Sequence, residues 1–137
     1  HASDEMVKNA RLFGEMIGIA FQIKDDIFDY YSSDEIGKPT GNDMREGKLT
    51  LPALYVLNTF DDEEMRKLAL CIRSLDASDE DIARFIEYTK VKGGIEYARQ
   101  AMVDYRNKAL ALLPQSAGQA VKDALTAYID YVIERDK

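Results

Sequence analysis

The stretch Phe21-Gln22-Ile23-Lys24-Asp25-Asp26-Ile27-Phe28-Asp29 constrains this chain more than any other. At about 100° per residue, Gln22, Asp25, Asp26 and Asp29 fall within an arc of about 100° on one helix face. Lys24 points the opposite way. Three carboxylates and an amide therefore look in one direction. Such a face is costly: Asp is a weak helix former, losing up to about 0.7 kcal/mol against Ala. Like charges four apart cost about 0.2–0.5 kcal/mol more. Phe21, Ile23, Ile27 and Phe28 flank the acids, so this is no plain surface helix. A half-buried carboxylate cluster needs cations, and a hard ion such as Mg2+ suits oxygen ligands.

The rest of the chain reads as helix broken by short loops, with no strand alternation. Ser3, Asp4 and Glu5 open a first helix, predicted to run to about Tyr31. Met6, Ala10, Phe13, Ile17, Ala20 and Phe21 form its apolar stripe. Gly14 and Gly18 lie close to the acid face, where close packing against another helix is expected; room for a ligand chain is the alternative. Residues 32–42 read as a loop in which Gly37, Pro39 and Gly41 keep Lys38 out of regular structure. Asp43 is expected to cap a turn over Met44–Gly47, and Thr50 a helix over Leu51–Thr59, where Pro52 is tolerated in the first turn. An acid-led helix follows over Asp61–Leu75, its inner face Met65, Leu68, Ala69, Ile72 and Leu75. Ser78 caps a helix over Asp79–Val91 that ends at Gly93-Gly94. Ile95–Leu113 stops before Pro114, and a last helix opens near Ser116 and carries Val121, Leu125, Tyr128, Ile129 and Val132. These C-terminal helices read as scaffold.

Composition narrows the function. The 137 residues suffice for one domain with a core. The net charge of −7 disfavours binding of nucleic acid or anionic lipid through the bulk surface. No apolar run is long enough to span a membrane, and no signal-peptide pattern is present. Cys71, the only cysteine, excludes an intramolecular disulfide, fits a reducing, cytoplasmic setting, and reads as a core residue. The start at His1 rather than Met reads as processing or truncation. Nothing matches a zinc, haem or glycine-rich nucleotide fingerprint.

An acidic protein can grip an anion only through bridging metal or a few placed cations. Three Asp at i, i+1 and i+4 suit Mg2+ held against phosphate oxygens better than acid/base work on a glycosidic bond. Lys38, Arg45 and Lys48 concentrate positive charge near the same loop. Such a site drains electrons into a leaving diphosphate and favours a carbocation.

Three blocks occur in order: Phe21-Gln22-Ile23-Lys24-Asp25-Asp26-Ile27-Phe28-Asp29; Gly37-Lys38-Pro39-Thr40-Gly41-Asn42-Asp43; and Glu46-Gly47-Lys48-Leu49-Thr50-Leu51-Pro52. Together, across residues 14–57, they resemble the second aspartate-rich region of the trans-isoprenyl diphosphate synthases (polyprenyl synthetases). The resemblance implies an all-α bundle of the isoprenoid synthase type, of which residues 1–137 form the C-terminal part of a single domain. It implies head-to-tail, Mg2+-dependent condensation of isopentenyl diphosphate with an allylic diphosphate: ionisation gives an allylic cation, the alkene attacks, and a proton leaves to diphosphate. By the same resemblance Asp25, Asp26 and Asp29 bind metal, with Asp25 the direct ligand. Gln22, Lys38 and Lys48 contact the allylic diphosphate, and Phe21 lines the site. Asp25, Asp26 and Lys38 carry the ionisation step, while Asp43 is structural and orients Lys38.

The family's first aspartate-rich motif is missing, and its isopentenyl diphosphate residues are too, so the chain reads as the C-terminal half of an enzyme that is homodimeric at full length. The half alone is expected to be inactive. Arg135 and Lys137 read as solvated rather than as part of a closing tail. The alternatives are a non-catalytic helical subunit that kept the fold, a head-to-head synthase or terpene cyclase, and a merely solvated acidic face with Lys38 as a loop cation.

Overall fold

The structure is a computed structural model that describes residues 4–31, 41–113 and 118–134. Among the described residues it is helical, with seven α-helices and no strand: α1 (Asp4–Phe28), α2 (Asn42–Arg45), α3 (Leu51–Thr59), α4 (Glu63–Arg73), α5 (Asp79–Val91), α6 (Gly94–Ala111) and α7 (Gln119–Glu134). The expected all-α class is what is found. The chain divides into two compact units, residues 25–99 and residues 1–24 with 100–137.

The unit of residues 25–99 is organised on α5. Its start follows from the sequence: the Asp81 N–H donates to Ser78 Oγ, and the Ser78 N–H donates to Asp81 Oδ2, both at 3.1 Å. This reciprocal pair meets amides that the helix itself leaves without partners. One face of α5 then buries Ile82, Phe85, Ile86 and Thr89. It packs against α3 and α4, which contribute Pro52, Ala53 and Val56, and Leu68, Ala69 and Ile72. Phe85, Ile72 and Val56 are fully enclosed, each stabilising the fold by about 1.5–3 kcal/mol through burial. The one enclosed hydroxyl on this face, Thr89 Oγ1, donates to the Phe85 carbonyl at 2.8 Å, so it carries no desolvation penalty.

The helix after α5 begins at a crowded point. Gly93 has φ +85° and ends α5 as expected. Gly94, buried, starts α6. A Cβ on Gly94 would lie 2.8 Å from the Pro52 carbonyl oxygen and 2.6 Å from Thr89 Cγ2. Only a hydrogen at this position lets α6 start against α3.

Several boundaries differ from the sequence reading, each for a local reason. α1 ends at Phe28 rather than Tyr31. α4 begins after Asp62, whose Oδ1 accepts the Met65 N–H at 3.1 Å, and it ends at Arg73. Leu75 is not on its inner face; it sits at φ 63° and is 66% exposed. There the chain reverses, with the Asp76 N–H donating to the Cys71 carbonyl at 2.8 Å, a closure that demands a left-handed residue. Cys71 is half-buried and free.

In the other unit, α7 begins at Gln119, Ser116 lying outside the described residues together with Arg135 and Lys137. Met102, Ala109, Ile129 and Ile133 are buried on α6 and α7. Arg106 Nε lies 3.1 Å from Asp130 Oδ1, joining the two helices. Val121 and Tyr128 are exposed. The stripe of α1 is buried only toward its C-terminal end: Met6 is half-exposed, Phe13 and Ile17 are intermediate, and Ala20 is fully enclosed. The close helix packing expected at Gly14 and Gly18 is not found among the described residues, since a Cβ at either would meet nothing within 4 Å.

Two substitutions test this account. Gly94→Ala forces a methyl onto the Pro52 carbonyl and should lower the unfolding free energy by about 1–3 kcal/mol; Ser78→Ala removes the α5 cap and should cost about 1 kcal/mol. Denaturant melts showing Gly94→Ala to be as stable as the parent would refute the crowding at α3 and α6.

Candidate functional site

The site is built where α1 stops. Asp25 and Asp26 lie in its last turn, and Asp29 sits just past it, its N–H still bonded to the Asp25 carbonyl at 3.2 Å. The acids that share one face by periodicity have three environments. Asp25 is exposed, Asp26 is buried and Asp29 is intermediate.

Asp29 holds the next segment of chain. Its backbone carbonyl accepts the Gly41 N–H at 2.9 Å. Its Oδ1 accepts the Asn42 N–H and its Oδ2 the Asp43 N–H, both at 3.0 Å. Three consecutive amides at the start of α2 thus converge on one residue a dozen or more positions upstream. The N-cap of α2 is Gly41, which has no side chain to do this, so the cap comes from elsewhere in the sequence. Bonds from N–H groups to a carboxylate are the strong kind. Gly41 also has to be glycine. Its φ is +76°, and a Cβ would lie 2.9 Å from both Ile82 Cγ2 and Ile86 Cδ1 of α5.

This corrects one expectation. Asp43 does not cap the turn that follows; its own N–H is capped by Asp29, and α2 covers Asn42–Arg45. Burial pushes the Asp43 carboxyl above the usual carboxylate range, and the charge of Asp29 adds to it; Glu46 and Asp25 act the same way, while Lys48 opposes. The Asp43 carbonyl accepts the Lys48 N–H at 2.8 Å. Lys48 is exposed, with Nζ 3.6 Å from Glu46 Oε1. The α2 segment is further tied to α5 by Arg45 Nε, 3.3 Å from Asp79 Oδ1.

The structure therefore brings Asp25, Asp26, Asp29, Asp43 and Lys48 into one unit and joins the last three through the backbone of α2. Phe21, half-buried, and Gln22, exposed, belong to the other unit. Lys38 lies outside the described residues. Thr50 is the N-cap position of α3 as expected, but its side chain makes no capping bond.

For Mg2+ the donor set is chemically apt: every candidate is a hard carboxylate oxygen. Among the described residues no three acids converge on one point. Each Asp29 oxygen already accepts one amide, whereas the Asp25 carboxylate stands exposed. The set thus fits an ion held by one or two protein carboxylates and completed by ligand oxygens and water, the usual habit of Mg2+.

Sequence reasoning missed Tyr30. It is 2% exposed, and its hydroxyl is enclosed without a hydrogen bond of good geometry. Burial raises its pKa well above the ordinary phenol value. The Thr50 side chain and the Ala53 backbone lie within hydrogen-bonding reach of the hydroxyl and oppose that rise. With Asp29, Gly41, Asp43, Thr50 and Ile86, it lines a shallow crevice. Adjacency to Asp29 was the only signal in the sequence.

The fold is that of the all-α isoprenoid synthases. The sequence matches the polyprenyl synthetase family over residues 1–89, and the chain belongs to that family. It is 38% identical to the nonaprenyl diphosphate synthase of Mycobacterium tuberculosis over 98% of this chain and 40% of that protein. It is 33% identical to heptaprenyl diphosphate synthase component 2 of Geobacillus stearothermophilus over 93% of this chain and 40% of that one. Among solved structures, a geranylgeranyl pyrophosphate synthase from Bacteroides thetaiotaomicron is 51% identical with a TM-score of 0.90, covering 98% of this chain and 44% of its own. A polyprenyl synthase from Caulobacter crescentus is 29% identical with a TM-score of 0.80, covering 95% of this chain and 40% of its own. The chain thus spans about 40% of the length of the curated relatives.

Asp29 has a measurable structural duty apart from any chemistry. Asp29→Ala, which strips both side-chain acceptors from α2, should lower stability by about 2–3 kcal/mol. Asp29→Asn keeps one acceptor oxygen and should lose roughly half as much. Equal unfolding midpoints for the parent and Asp29→Ala would show that the carboxylate does not hold α2.

Proposed function

We propose that this chain is the C-terminal part of a prenyltransferase that condenses isopentenyl diphosphate with an allylic diphosphate, head to tail, with Mg2+ as cofactor. One observation carries the reading. Asp29 bonds Asn42 and Asp43 across the gap between motif blocks, which ties the aspartate-bearing end of α1 to the segment that leads to Lys48. The names of the relatives support the same chemistry. The Caulobacter crescentus structure is described as complexed with calcium and isoprenyl diphosphate, so a hard divalent ion and a prenyl diphosphate bind that protein.

In this reading Asp25 is the main metal ligand. Asp26 and Asp29 complete the acidic face, with Asp29 also fixing α2. Mg2+, when bound, supplies the positive charge that a departing diphosphate needs. Lys38 and Lys48 place further cations on the same diphosphate, Gln22 donates to it, and Phe21 lines the wall of the site. Lys48 is suited to this by its place: its backbone is pinned to Asp43 and its ammonium is exposed. The Asp43 carboxyl is raised by burial first and by the charge of Asp29 second, and a cation nearby would favour its ionised form.

Residues 1–137 form one part of a single synthase domain and have no condensing activity of their own. The complete enzyme is a cytoplasmic homodimer. The relative named heptaprenyl diphosphate synthase component 2 favours one alternative, in which the complete protein works beside a different subunit. Among the described residues no helix is long and apolar enough to cross a membrane.

Steady-state kinetics on the complete protein test the assignment. Asp25→Ala should reduce kcat by about 100-fold or more, the scale of removing one transition-state electrostatic contact. Lys48→Ala should raise KM for the allylic substrate more than it lowers kcat. The isolated 137-residue chain should form no product from isopentenyl and allylic diphosphates. Full activity in Asp25→Ala would sink the metal assignment, and turnover by the isolated chain would sink the claim that it is incomplete.

A further inference from the structure

We infer that Leu75 is a positioning residue for Lys48: it backs the turn at Gly47 from which Lys48 projects, and so fixes the direction in which that side chain leaves the backbone. The inference rests on the reading of Lys48 as a diphosphate contact.

Two helix ends meet at this point. α2 closes through the Gly47 N–H, which donates to the Met44 carbonyl at 3.0 Å, and the Lys48 N–H, which donates to the Asp43 carbonyl at 2.8 Å. α4 closes in the same way: the Leu75 N–H donates to the Ile72 carbonyl at 3.1 Å and the Asp76 N–H to the Cys71 carbonyl at 2.8 Å. Each closure puts a left-handed residue one position past the helix cap. At α2 that residue is Gly47, with φ +80°, and glycine adopts it without steric cost. At α4 it is Leu75, with φ 63°, the one non-glycine residue of positive φ among the described residues. A glycine would end α4 without the strain that a Cβ brings to this conformation. Leu75 is also exposed, so burial in a core does not account for it.

The position of its side chain does. A Cβ on Gly47 would lie 3.1 Å from Leu75 Cδ2, 3.3 Å from the Arg73 carbonyl oxygen and 3.5 Å from that of Ile72. The leucine and the last carbonyls of α4 therefore press against the Gly47 turn, in space that a side chain there would claim. Lys48 is the next residue, its N–H committed to Asp43 and its side chain exposed. A lysine stem is flexible, so the protein aims the ammonium mainly by fixing the backbone from which the stem departs. Asp43 holds that backbone from within α2, and Leu75 holds it from α4. Leu75 acts through Lys48 and needs no contact of its own with the ligand.

Calorimetry of magnesium pyrophosphate binding to the complete protein, beside denaturant unfolding of the ligand-free protein, tests this. Leu75→Gly removes the backing and the left-handed strain together. It should weaken magnesium pyrophosphate about three- to tenfold, the scale of ordering one long side chain, while the ligand-free midpoint stays unchanged or rises. Leu75→Met keeps a flexible apolar cover and should bind within about twofold of the parent. In a Lys48→Ala background Leu75→Gly should cause no further loss, because the residue it acts through is gone. If the midpoint of Leu75→Gly falls as well, that background decides, since general loosening would weaken the Lys48→Ala protein too. Unchanged affinity in Leu75→Gly overturns the inference whatever its midpoint, and so does a loss that persists in the Lys48→Ala background. A Lys48→Ala protein that binds as tightly as the parent would instead overturn the reading of Lys48 as a diphosphate contact.

Discussion

Everything distinctive in this molecule hangs on a carboxylate placed just beyond the end of a helix. Asp29 gathers the amides of Gly41, Asn42 and Asp43. Without it the chain leaving α1 has no reason to return to α1. A helix of four residues cannot hold itself together in water, because nucleation costs more than one turn of bonds repays. α2 persists because its first amides are met by the Asp29 carboxylate oxygens and because Gly41 lets the backbone lie against Ile82 and Ile86 of α5. One side-chain carboxylate and one missing side chain therefore set the course of the segment that bears Lys48.

The same constraint explains why the acidic face is not uniform. Three aspartates at helical spacing suggest three equivalent ligands. Once one of them is engaged by backbone amides and another is buried, their duties divide: Asp29 organises backbone, Asp26 is enclosed, and Asp25 alone presents an exposed carboxylate. Such a division suits a hard ion that keeps most of its coordination shell for water and ligand oxygens. Burial, with the charge of Asp29 adding to it, pushes the Asp43 carboxyl upward.

The scaffold contributes rigidity rather than reactive groups. α5 is capped at Ser78 and packed by α3 and α4, and it supplies the Ile82 and Ile86 surface on which Gly41 rests. α3, whose first turn follows Lys48 and Thr50, is fixed from the other side by the start of α6, where only Gly94 fits beneath the Pro52 carbonyl. The loop residues of the site thus sit between packed helices. Tyr30, 2% exposed, is enclosed at the same junction.

What periodicity and caps decide was readable from the chain itself. The helical class follows from apolar spacing. α5 could be placed to the residue, because Ser78 and Asp81 cap it locally and Gly93 ends it. The three motif blocks also stood out, since their chemistry is written in side-chain types at short spacing. Sequence could not show that Asp29 caps α2, that Asp43 is capped rather than capping, or that Tyr30 is enclosed opposite Thr50. Each is a bond or contact between residues a dozen or more positions apart, and no local pattern encodes such a partner. The same holds for α1, whose stripe has the right period throughout but is buried only toward Ala20. Period reveals which face can be buried; only the neighbouring elements decide whether it is.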